Sequence, residues 1–352
     1  MNDDLLARYL SYFLIVQILF VQYISRFPET IEKYYSNGVY KVISLFYRSS
    51  LGWITFSIGD LIYGVFLFLF IRFIYIIFRD EFTELRSYFL SICGTLSVLY
   101  FLFYFSWGLN YYRVPLADRL EISKGSYTTK QLHSFTEKTI LKINQLHFSI
   151  TKNDTLAFQV PYKKKEIYKM TKIGYKNLSQ KHSFLKYKAA SIKSSLFSTS
   201  LSYMGFAGYL NPFTGEAQVN SKIPIYTFAF TASHEVAHQI GYAAENEANF
   251  IGYLATTSHT DPYFQLAGHI TALKYILNEL YKRDADLYKT TLSKLNKGIF
   301  KNLKASSIFW NKYENPFEPI FKKGYSTYLK VNKQKDGIKS YSYMVDLLIH
   351  YH

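Results

Sequence analysis

Three long apolar stretches in the first third of the chain set it apart from the rest. They cover residues 8–25, 53–78 and 87–107. Each is long enough to cross a bilayer, which takes about 20 residues of α-helix. Arg72 lies near the end of the second stretch, where its charged head can reach the lipid headgroups. The pattern predicts a three-helix transmembrane anchor over residues 1–112, with the lipid bilayer as its partner.

The segment between the first two apolar stretches, residues 25–51, has a different pattern. Apolar residues such as Ile31, Tyr35, Val42 and Phe46 recur among polar ones, which makes the segment amphipathic. We expect this segment to lie along the membrane interface.

After Tyr112 no stretch is apolar enough for a further span. Residues 128–147 carry apolar positions at roughly helical spacing, and EAQVN, which follows the turn residues NPFTG, predicts a short strand. The fold class expected is therefore α+β. The anchor is followed, over residues 113–352, by a mostly helical domain with a small β-sheet.

The net charge of +16 raises the question of nucleic acid. However, the lysines are scattered between Lys124 and Lys339 and form no basic motif. A basic domain next to an anionic bilayer is a simpler account, since each Lys or Arg near the surface contributes about 1 kcal/mol. We expect no nucleic-acid partner.

The motif that carries chemistry is HEVAH, which sets His234, Glu235 and His238 in the pattern HExxH. On a helix the two histidines are one turn apart and can bind one zinc ion. Glu235 points about 100° around the helix, toward a zinc-bound water, where it would act as the general base. The single cysteine, Cys93, lies in an apolar stretch, which leaves His, Asp and Glu as the metal ligands.

A second helical stretch follows Gly241 and offers two candidates for the third zinc ligand. Glu245 and Glu247 would point about 200° apart on a helix, so only one can face the metal. Glu245 is favoured, because Ala248 and Asn249 follow on the same face. Ala248 is small enough for the two helices to approach, and Asn249 can hydrogen-bond the free ring nitrogen of a zinc-bound histidine. Glu247 remains the alternative.

HExxH followed by ENEAN resembles the gluzincin metallopeptidases, in which the first Glu of such a helix is the third zinc ligand. Asn249 stands where many members carry Asp. Nearly the whole chain, through segments such as NYYR and HEVAHQIGYAAENEANF, resembles an uncharacterised bacterial inner-membrane family known as domain of unknown function 3810. This resemblance implies a multi-pass protein with an extracytoplasmic zinc-peptidase-like domain. The Lys and Arg count of the loops favours the cytoplasmic side instead, and we follow the resemblance.

The segment GEAQVN resembles the edge strand along which gluzincins align an extended peptide. The resemblance implies that Gly215, Glu216 and Ala217 bind substrate by backbone pairing. Alternatively, the segment is only the last strand of a hairpin closed by NPFTG. A side chain that stabilises the oxyanion is also expected, and four residues are candidates by type: Tyr209, Tyr242, His259 and His269.

The sequence thus predicts a membrane-anchored zinc metallopeptidase that hydrolyses peptide bonds of a peptide or protein near the membrane. One alternative is an intramembrane metalloprotease, because the stretch around the motif is fairly apolar, although its flanks are polar and rich in Lys. The other is a non-enzymatic, zinc-stabilised binding module in the membrane. A purely structural zinc site would not need Glu235.

Overall fold

The computed structural model describes residues 3–123, 125–337 and 343–351. The apolar pattern of residues 341–352 predicts an amphipathic C-terminal helix, of which residues 341, 342 and 352 lie outside this range. The protein is mostly helical, with one small sheet. Its α-helices are α1 (Asp3–Ile24), α2 (Pro28–Thr30), α3 (Tyr40–Leu51), α4 (Ile58–Arg79), α5 (Leu85–Ser106), α6 (Leu116–Arg119), α7 (Thr129–Thr151), α8 (Lys164–Lys181), α9 (Ser198–Met204), α10 (Phe228–Gln239), α11 (Glu245–Thr257), α12 (Pro262–Arg283), α13 (Ala285–Leu292), α14 (Lys297–Asn311), α15 (Glu318–Val331) and α16 (Met344–Tyr351). A π-helical stretch covers Ile31–Val39, and short 3₁₀ turns cover Gly108–Tyr112, Ser183–Leu185 and Ile225–Thr227.

Three helices are long and apolar enough to cross a membrane: Leu5–Ile24, Ile58–Arg79 and Leu85–Ser106. Helix α4 begins five residues later than the predicted span, because the Ser57 hydroxyl caps it by accepting from the Asp60 N–H at 2.9 Å. Most of the apolar side chains of α4 are exposed, as expected for a helix that faces lipid. These features are consistent with membrane association.

Helices α2 and α3 and the π-helical stretch between them form one continuous helical segment, residues 28–51. The π-helical i→i+5 bonding widens the turn. Buried residues can therefore recur every four or five positions and still share one face: Ile31, Tyr35, Tyr40, Ser44 and Arg48. The opposite face exposes apolar side chains, among them Val42 and Phe46.

The buried face of this segment contacts the end of α10. The Tyr40 hydroxyl donates to the carbonyl oxygens of His238 and Gln239 at 3.3 and 2.9 Å, and the Ser44 hydroxyl donates to Gln239 at 2.8 Å. The Trp107 indole N–H, just after α5, also donates to the His238 carbonyl, at 3.2 Å. These donors from the N-terminal third satisfy carbonyls that a helix end leaves without an intrahelical partner.

The core of the second part of the chain is helical, and α10 and α11 pack against each other at its centre. Helix α8 packs on both of them, and α12 covers another side and also contacts α7. Gly174 of α8 permits a close approach, since a Cβ there would lie 2.2 Å from the Ala255 carbonyl oxygen of α11. The core side chains include Tyr175, Phe228 and Phe250, all fully buried.

The sheet has three short strands, β1 (Ile192–Ser194), β2 (Gly208–Leu210) and β3 (Ala217–Val219), in the order β1-β3-β2. β3 pairs with β1 in parallel and with β2 antiparallel. Gly215, Glu216 and Ala217 are therefore not on an edge strand, and that prediction is corrected. β2 and β3 form the hairpin that NPFTG closes, and β1, from upstream in the chain, occupies the other side of β3.

Glu216, which precedes β3, is fully buried and joins the sheet to α4. Its carboxylate accepts from the backbone N–H groups of Ile58 and Gly59 at 3.3 and 2.6 Å, the first residues of α4. It also forms an ion pair with Lys193 of β1 and accepts from Thr214 at 3.1 Å. Negative charge at a helix N-terminus is stabilising. We call Glu216, Lys193 and their hydrogen-bond partners the Glu216 cluster.

Asp60, in the first turn of α4, forms a second connection. It is fully buried and accepts from the Leu196 N–H at 2.6 Å, from the Ser195 hydroxyl at 3.0 Å and from the Tyr209 hydroxyl. Tyr209 lies on β2. Asp60 therefore fixes the start of α4 to β2, through Tyr209, and to the residues that follow β1, Ser195 and Leu196.

Candidate metal centre

His234 and His238 lie one turn apart on α10, with ring centroids 4.8 Å apart and ring planes nearly perpendicular. The helix ends at Gln239, and the chain turns at Gly241 with φ of +93°. A Cβ at Gly241 would lie 2.9 Å from the ring of Tyr40, so both the backbone conformation and the space require glycine there. The turn at Gly241 leads the chain directly into α11.

The ring of His238 is oriented by its backbone neighbour. Its Nδ1 lies 2.7 Å from the carbonyl oxygen of Tyr242, and a carbonyl can only accept, so Nδ1 carries the proton. In the neutral ring the lone pair is therefore on Nε2, as in a metal-binding histidine. Trp107 packs edge-on against the same ring, with centroids 6.0 Å apart.

Glu245, the first residue of α11, faces both histidines. Its carboxylate oxygens lie 3.3 Å from Nε2 of His234 and 3.7 Å from Nε2 of His238. Ligands about 2.0–2.1 Å from a tetrahedral zinc ion are about 3.3–3.4 Å from one another. The distance from His234 matches this spacing, and the distance from His238, to the other oxygen of the same carboxylate, is slightly longer.

Electrostatics around Glu245 favour its ionised form. Burial by itself raises the pKa of Glu245, but the two histidines outweigh burial and hold the pKa well below its usual value. In turn, and against the effect of burial, the Glu245 carboxylate contributes most to raising the pKa of His238 to about 9. The site is thus arranged to hold a negative carboxylate against positive charge.

Glu247, the alternative ligand, points away from the histidines. It is buried, and its carboxylate accepts from the Leu116 N–H at 2.6 Å, at the start of α6. Burial raises the pKa of Glu247 to about 7, although the Leu116 N–H and Arg113 act in the opposite direction. The geometry favours Glu245 over Glu247 as a metal ligand.

Glu235 is buried beside the two histidines, and one possible ligand atom from each of these three residues lies within 4.8 Å of those from the other two. Its carboxylate, however, lies against β2, where a Cβ on Gly208 would be 2.6 Å from Oε1. Burial raises the pKa of Glu235 to about 7, with both histidines acting against it. Both Nε2 atoms face the carboxylate of Glu245.

Several buried polar atoms around this site have no hydrogen-bond partner among the described residues. They include Nδ1 of His234, Oε2 of Glu235 and Nδ2 of Asn249. Buried polar groups in native proteins are nearly always satisfied, so a concentration of exceptions indicates a place for a ligand or an ion. The donor set and its unsatisfied atoms both fit a metal site.

Helix α11 approaches α10 through small residues on the face that carries Glu245. Ala248 is fully buried, and a Cβ on Gly252 would lie 3.2 Å from the backbone nitrogen of His234. Asn249 lies on the same face and lines the cavity described below. At His238, the ring contact predicted for Asn249 is made instead by the Tyr242 carbonyl.

The candidate ligands line a cavity of about 790 Å³, which is large enough for several residues of a peptide. Its walls come from both parts of the chain and are rich in aromatic side chains. The lining residues include Tyr63 and Leu67 of α4, Trp107, Phe197, Gly208 and Tyr209 of β2, Tyr325 and Tyr328 of α15, and the cluster His234, Glu235, His238 and Glu245.

The four residues considered for oxyanion stabilisation have different environments. Tyr209 lines the cavity, but its hydroxyl donates to Asp60. Within the described part of the chain, the other three are absent from the cavity wall. Tyr242 is buried under the Arg113 guanidinium, His259 stacks on Phe264, and His269 packs against Tyr253.

Tyr325 is a site residue that the sequence analysis missed. It lies on α15, and its hydroxyl donates to Oε1 of Glu245. It also stacks on Tyr328, with centroids 6.0 Å apart. No local pattern could have identified Tyr325, since 80 residues separate it from Glu245 and many tyrosines in this chain are equivalent by type.

Fold and site together define a mostly helical protein in which three helices able to span a membrane adjoin a buried His/Glu cluster. The chain belongs to the family described as "Protein of unknown function (DUF3810)", whose family model matches residues 35–349. That match includes α4, α5, the sheet and both helices of the cluster. No curated protein and no solved structure matches the chain.

Proposed function

We propose that this protein is a membrane-anchored zinc metallopeptidase of the gluzincin type, with His234, His238 and Glu245 as ligands of one zinc ion. The observation that carries the proposal is the approach of both histidine Nε2 atoms to one carboxylate, at 3.3 and 3.7 Å, in the wall of a peptide-sized cavity. Zinc bound in such a site acidifies a water molecule and polarises a carbonyl group.

Glu235 is the general base in this proposal. It takes a proton from the water whose oxygen attacks the scissile carbonyl carbon, and it delivers a proton to the amine nitrogen as the C–N bond breaks. Its burial and its position among the site residues suit this role. A charge-neutral amide in its place could not accept the proton.

Strand β2 is the proposed substrate-binding element. Among the described strands it pairs only with β3, and Gly208 brings its backbone against Glu235. An extended peptide paired with the free edge of β2 would run alongside the general base. We therefore propose that residues 208–210, instead of Gly215, Glu216 and Ala217, bind the substrate by backbone pairing.

We also propose that the chain is a multi-pass protein of the bacterial inner membrane, with the zinc site outside the cytoplasm. The family resemblance supports this side of the membrane, against the charge count of the loops. The proposal is tested by replacing Cys93 with serine and exposed Lys176 with cysteine. A membrane-impermeant maleimide should label Lys176→Cys without cell lysis, and labelling only after lysis would reverse the orientation.

The metal assignment is tested by elemental analysis of the purified full-length protein. We expect one zinc ion per chain in the wild type and its loss in Glu245→Ala. Glu247→Ala is the matched control, since it removes a buried glutamate from the same helix, and it should keep the zinc. Only variants that purify as folded protein are compared.

Catalysis is tested in parallel with Glu235→Gln. This variant should keep the zinc and lose peptide hydrolysis by about 10²–10⁴-fold, the range for removal of a general base. Zinc that survives every substitution in the cluster would refute the metal site. Zinc that depends on His234, His238 and Glu245 without any peptide hydrolysis would favour the non-enzymatic, zinc-stabilised module.

The intramembrane alternative has less support. Helices α10 and α11 pack within the core of the second part of the chain, among α8, α12 and the sheet. In the described residues, the helices apolar enough to span a membrane are α1, α4 and α5. The zinc site proposed here adjoins the end of α5 through Trp107, at the membrane surface.

A further inference from the structure

The cavity at the candidate metal centre is bounded partly by a membrane helix. Tyr63 and Leu67 of α4 line it together with the site residues. Leu67 lies nine residues after Ile58, about 14 Å along the helix axis at about 1.5 Å per residue. Leu67 is also 58% exposed. One wall of the cavity therefore continues along a surface that faces lipid.

Exposed apolar side chains also lie on or next to other elements that line the cavity. Phe197, just before α9, lines the cavity and is partly exposed. Ile320 of α15 and Phe317, the residue before this helix, are exposed. Helix α15 packs against the end of α5 through Tyr328, whose ring centroid lies 6.2 Å from that of Phe103. Exposed apolar side chains thus lie on or next to three helices that contribute to the cavity wall, α4, α9 and α15, and α15 contacts the end of α5.

We propose that the substrate is a membrane-anchored polypeptide, cut in an extended segment directly next to its own transmembrane helix; this rests on the peptidase function proposed above. The lipid-facing wall of α4 suits an apolar helix that arrives through the bilayer. The free edge of β2 offers backbone pairing, which a polypeptide can use and a lipid cannot.

The site also lies close to the end of a span. The ring of Trp107, the residue after α5, is 6.0 Å from the ring of His238. At about 3.3 Å per extended residue, only about two to four residues are needed to lead from the end of a neighbouring transmembrane helix to the site. A cleavage position close to the membrane follows from this distance.

The experiment uses full-length protein in vesicles of phosphatidylethanolamine and phosphatidylglycerol. The probe is a randomised segment of roughly ten residues fused to a Leu-rich transmembrane helix, either directly or through a flexible Gly/Ser spacer of about 30 residues. Both probes are present at equal density, and mass spectrometry reads the cleavage position. We expect the directly fused probe to be cut at least about tenfold faster, within a few residues of the helix, since only its cleavable segment enters along α4.

A pair of variants on α4 tests the route. Leu67→Trp fills the lipid-facing cavity wall and should slow cleavage of the directly fused probe more than cleavage of the same randomised segment as a free peptide. Leu69→Trp is the control, because Leu69 is exposed on the same helix and is not a cavity residue. It should match the wild type on both substrates.

Each outcome has a distinct meaning. Equal cleavage of the direct and spaced probes, or equal effects of Leu67→Trp and Leu69→Trp, would overturn the membrane-anchored substrate and leave the peptidase proposal intact. Absence of cleavage of every probe, the free peptide included, by the zinc-loaded protein would overturn the peptidase function and this inference with it.

Discussion

Glu216 and Glu245 are both buried glutamates, yet their surroundings differ. The carboxylate of Glu216 is saturated by Lys193, by two backbone N–H groups at the start of α4 and by neighbouring polar side chains. The carboxylate of Glu245 faces two histidines in a cavity wall, next to polar atoms that have no hydrogen-bond partner in the described part of the chain.

The comparison separates two uses of a buried charge. A carboxylate whose bonds are all made within the protein stabilises one arrangement of the chain and has no capacity left for a ligand. A carboxylate that lies among unsatisfied donors and acceptors can bind something from outside. The Glu216 cluster joins α4 to the sheet, whereas the Glu245 site is suited to a metal.

The sharpest test of this comparison is Glu216→Ala. The substitution leaves the Lys193 ammonium buried without its partner and removes the acceptor for the N–H groups of Ile58 and Gly59. We expect a loss of about 3–5 kcal/mol in the free energy of unfolding, with the zinc content of the remaining folded protein unchanged. Denaturant unfolding in detergent micelles measures the first quantity and elemental analysis the second.

The control for this prediction is the double variant Lys193→Met/Glu216→Gln. It removes both charges and keeps a carbonyl acceptor for the start of α4, so most of the lost stability should return. If Glu216→Ala unfolds at the wild-type denaturant concentration, the Glu216 cluster does not hold the anchor to the sheet.

At the Glu245 site a smaller effect, on zinc affinity, is expected from Tyr325→Phe. This substitution deletes the hydroxyl that donates to the Glu245 carboxylate. Loss of a hydrogen bond to a metal ligand lowers metal affinity by about 10–100-fold. We expect a loss of zinc affinity near the lower end of this range, about tenfold or 1.4 kcal/mol. Competition with a zinc chelator measures it.

Tyr328→Phe is the matched control for Tyr325→Phe. Tyr328 also lines the cavity and stacks on Tyr325, but its hydroxyl accepts from Tyr111. It should bind zinc as the wild type does. Equal losses in the two variants would indicate a general effect of cavity polarity instead of a contact with Glu245.

The smallest effect is expected from Glu247→Gln. The amide carbonyl can still accept from the Leu116 N–H, so the change in the free energy of unfolding should stay below about 1 kcal/mol. Zinc affinity should also be unchanged, because Glu247 points toward α6. A marked loss of zinc from this variant would contradict the assignment of Glu245 as the ligand.

Local spacing was sufficient to anticipate much of the site. The HExxH pattern and the spacing of Glu245, Ala248 and Asn249 described two helices with facing surfaces, because both features depend on the geometry of a single helix. The three long apolar helices could also be predicted from the sequence, since the length of an apolar stretch is a local property. The residues that these patterns brought together lie close to each other in the chain.

Contacts between distant segments could not be read from the sequence. The pairing of β1 with β3, which removes Ala217 from the sheet edge, depends on residues far upstream. The bonds from Tyr325 to Glu245 and from Asp60 to Tyr209 join residues that are 80 and 149 positions apart. Nothing local distinguishes these tyrosines from the other 32 of the 34 in the chain.

The hydrogen bonds from Tyr40, Ser44 and Trp107 to the carbonyls of His238 and Gln239 have a consequence for the control of activity. Residues 113–352, if released from the membrane by another protease, would lose all three donors at the end of the helix that carries both histidines. We expect such a fragment to be inert. If the proposed peptidase function holds, detachment from the bilayer would also end peptide hydrolysis, and the released fragment would not cleave proteins in solution.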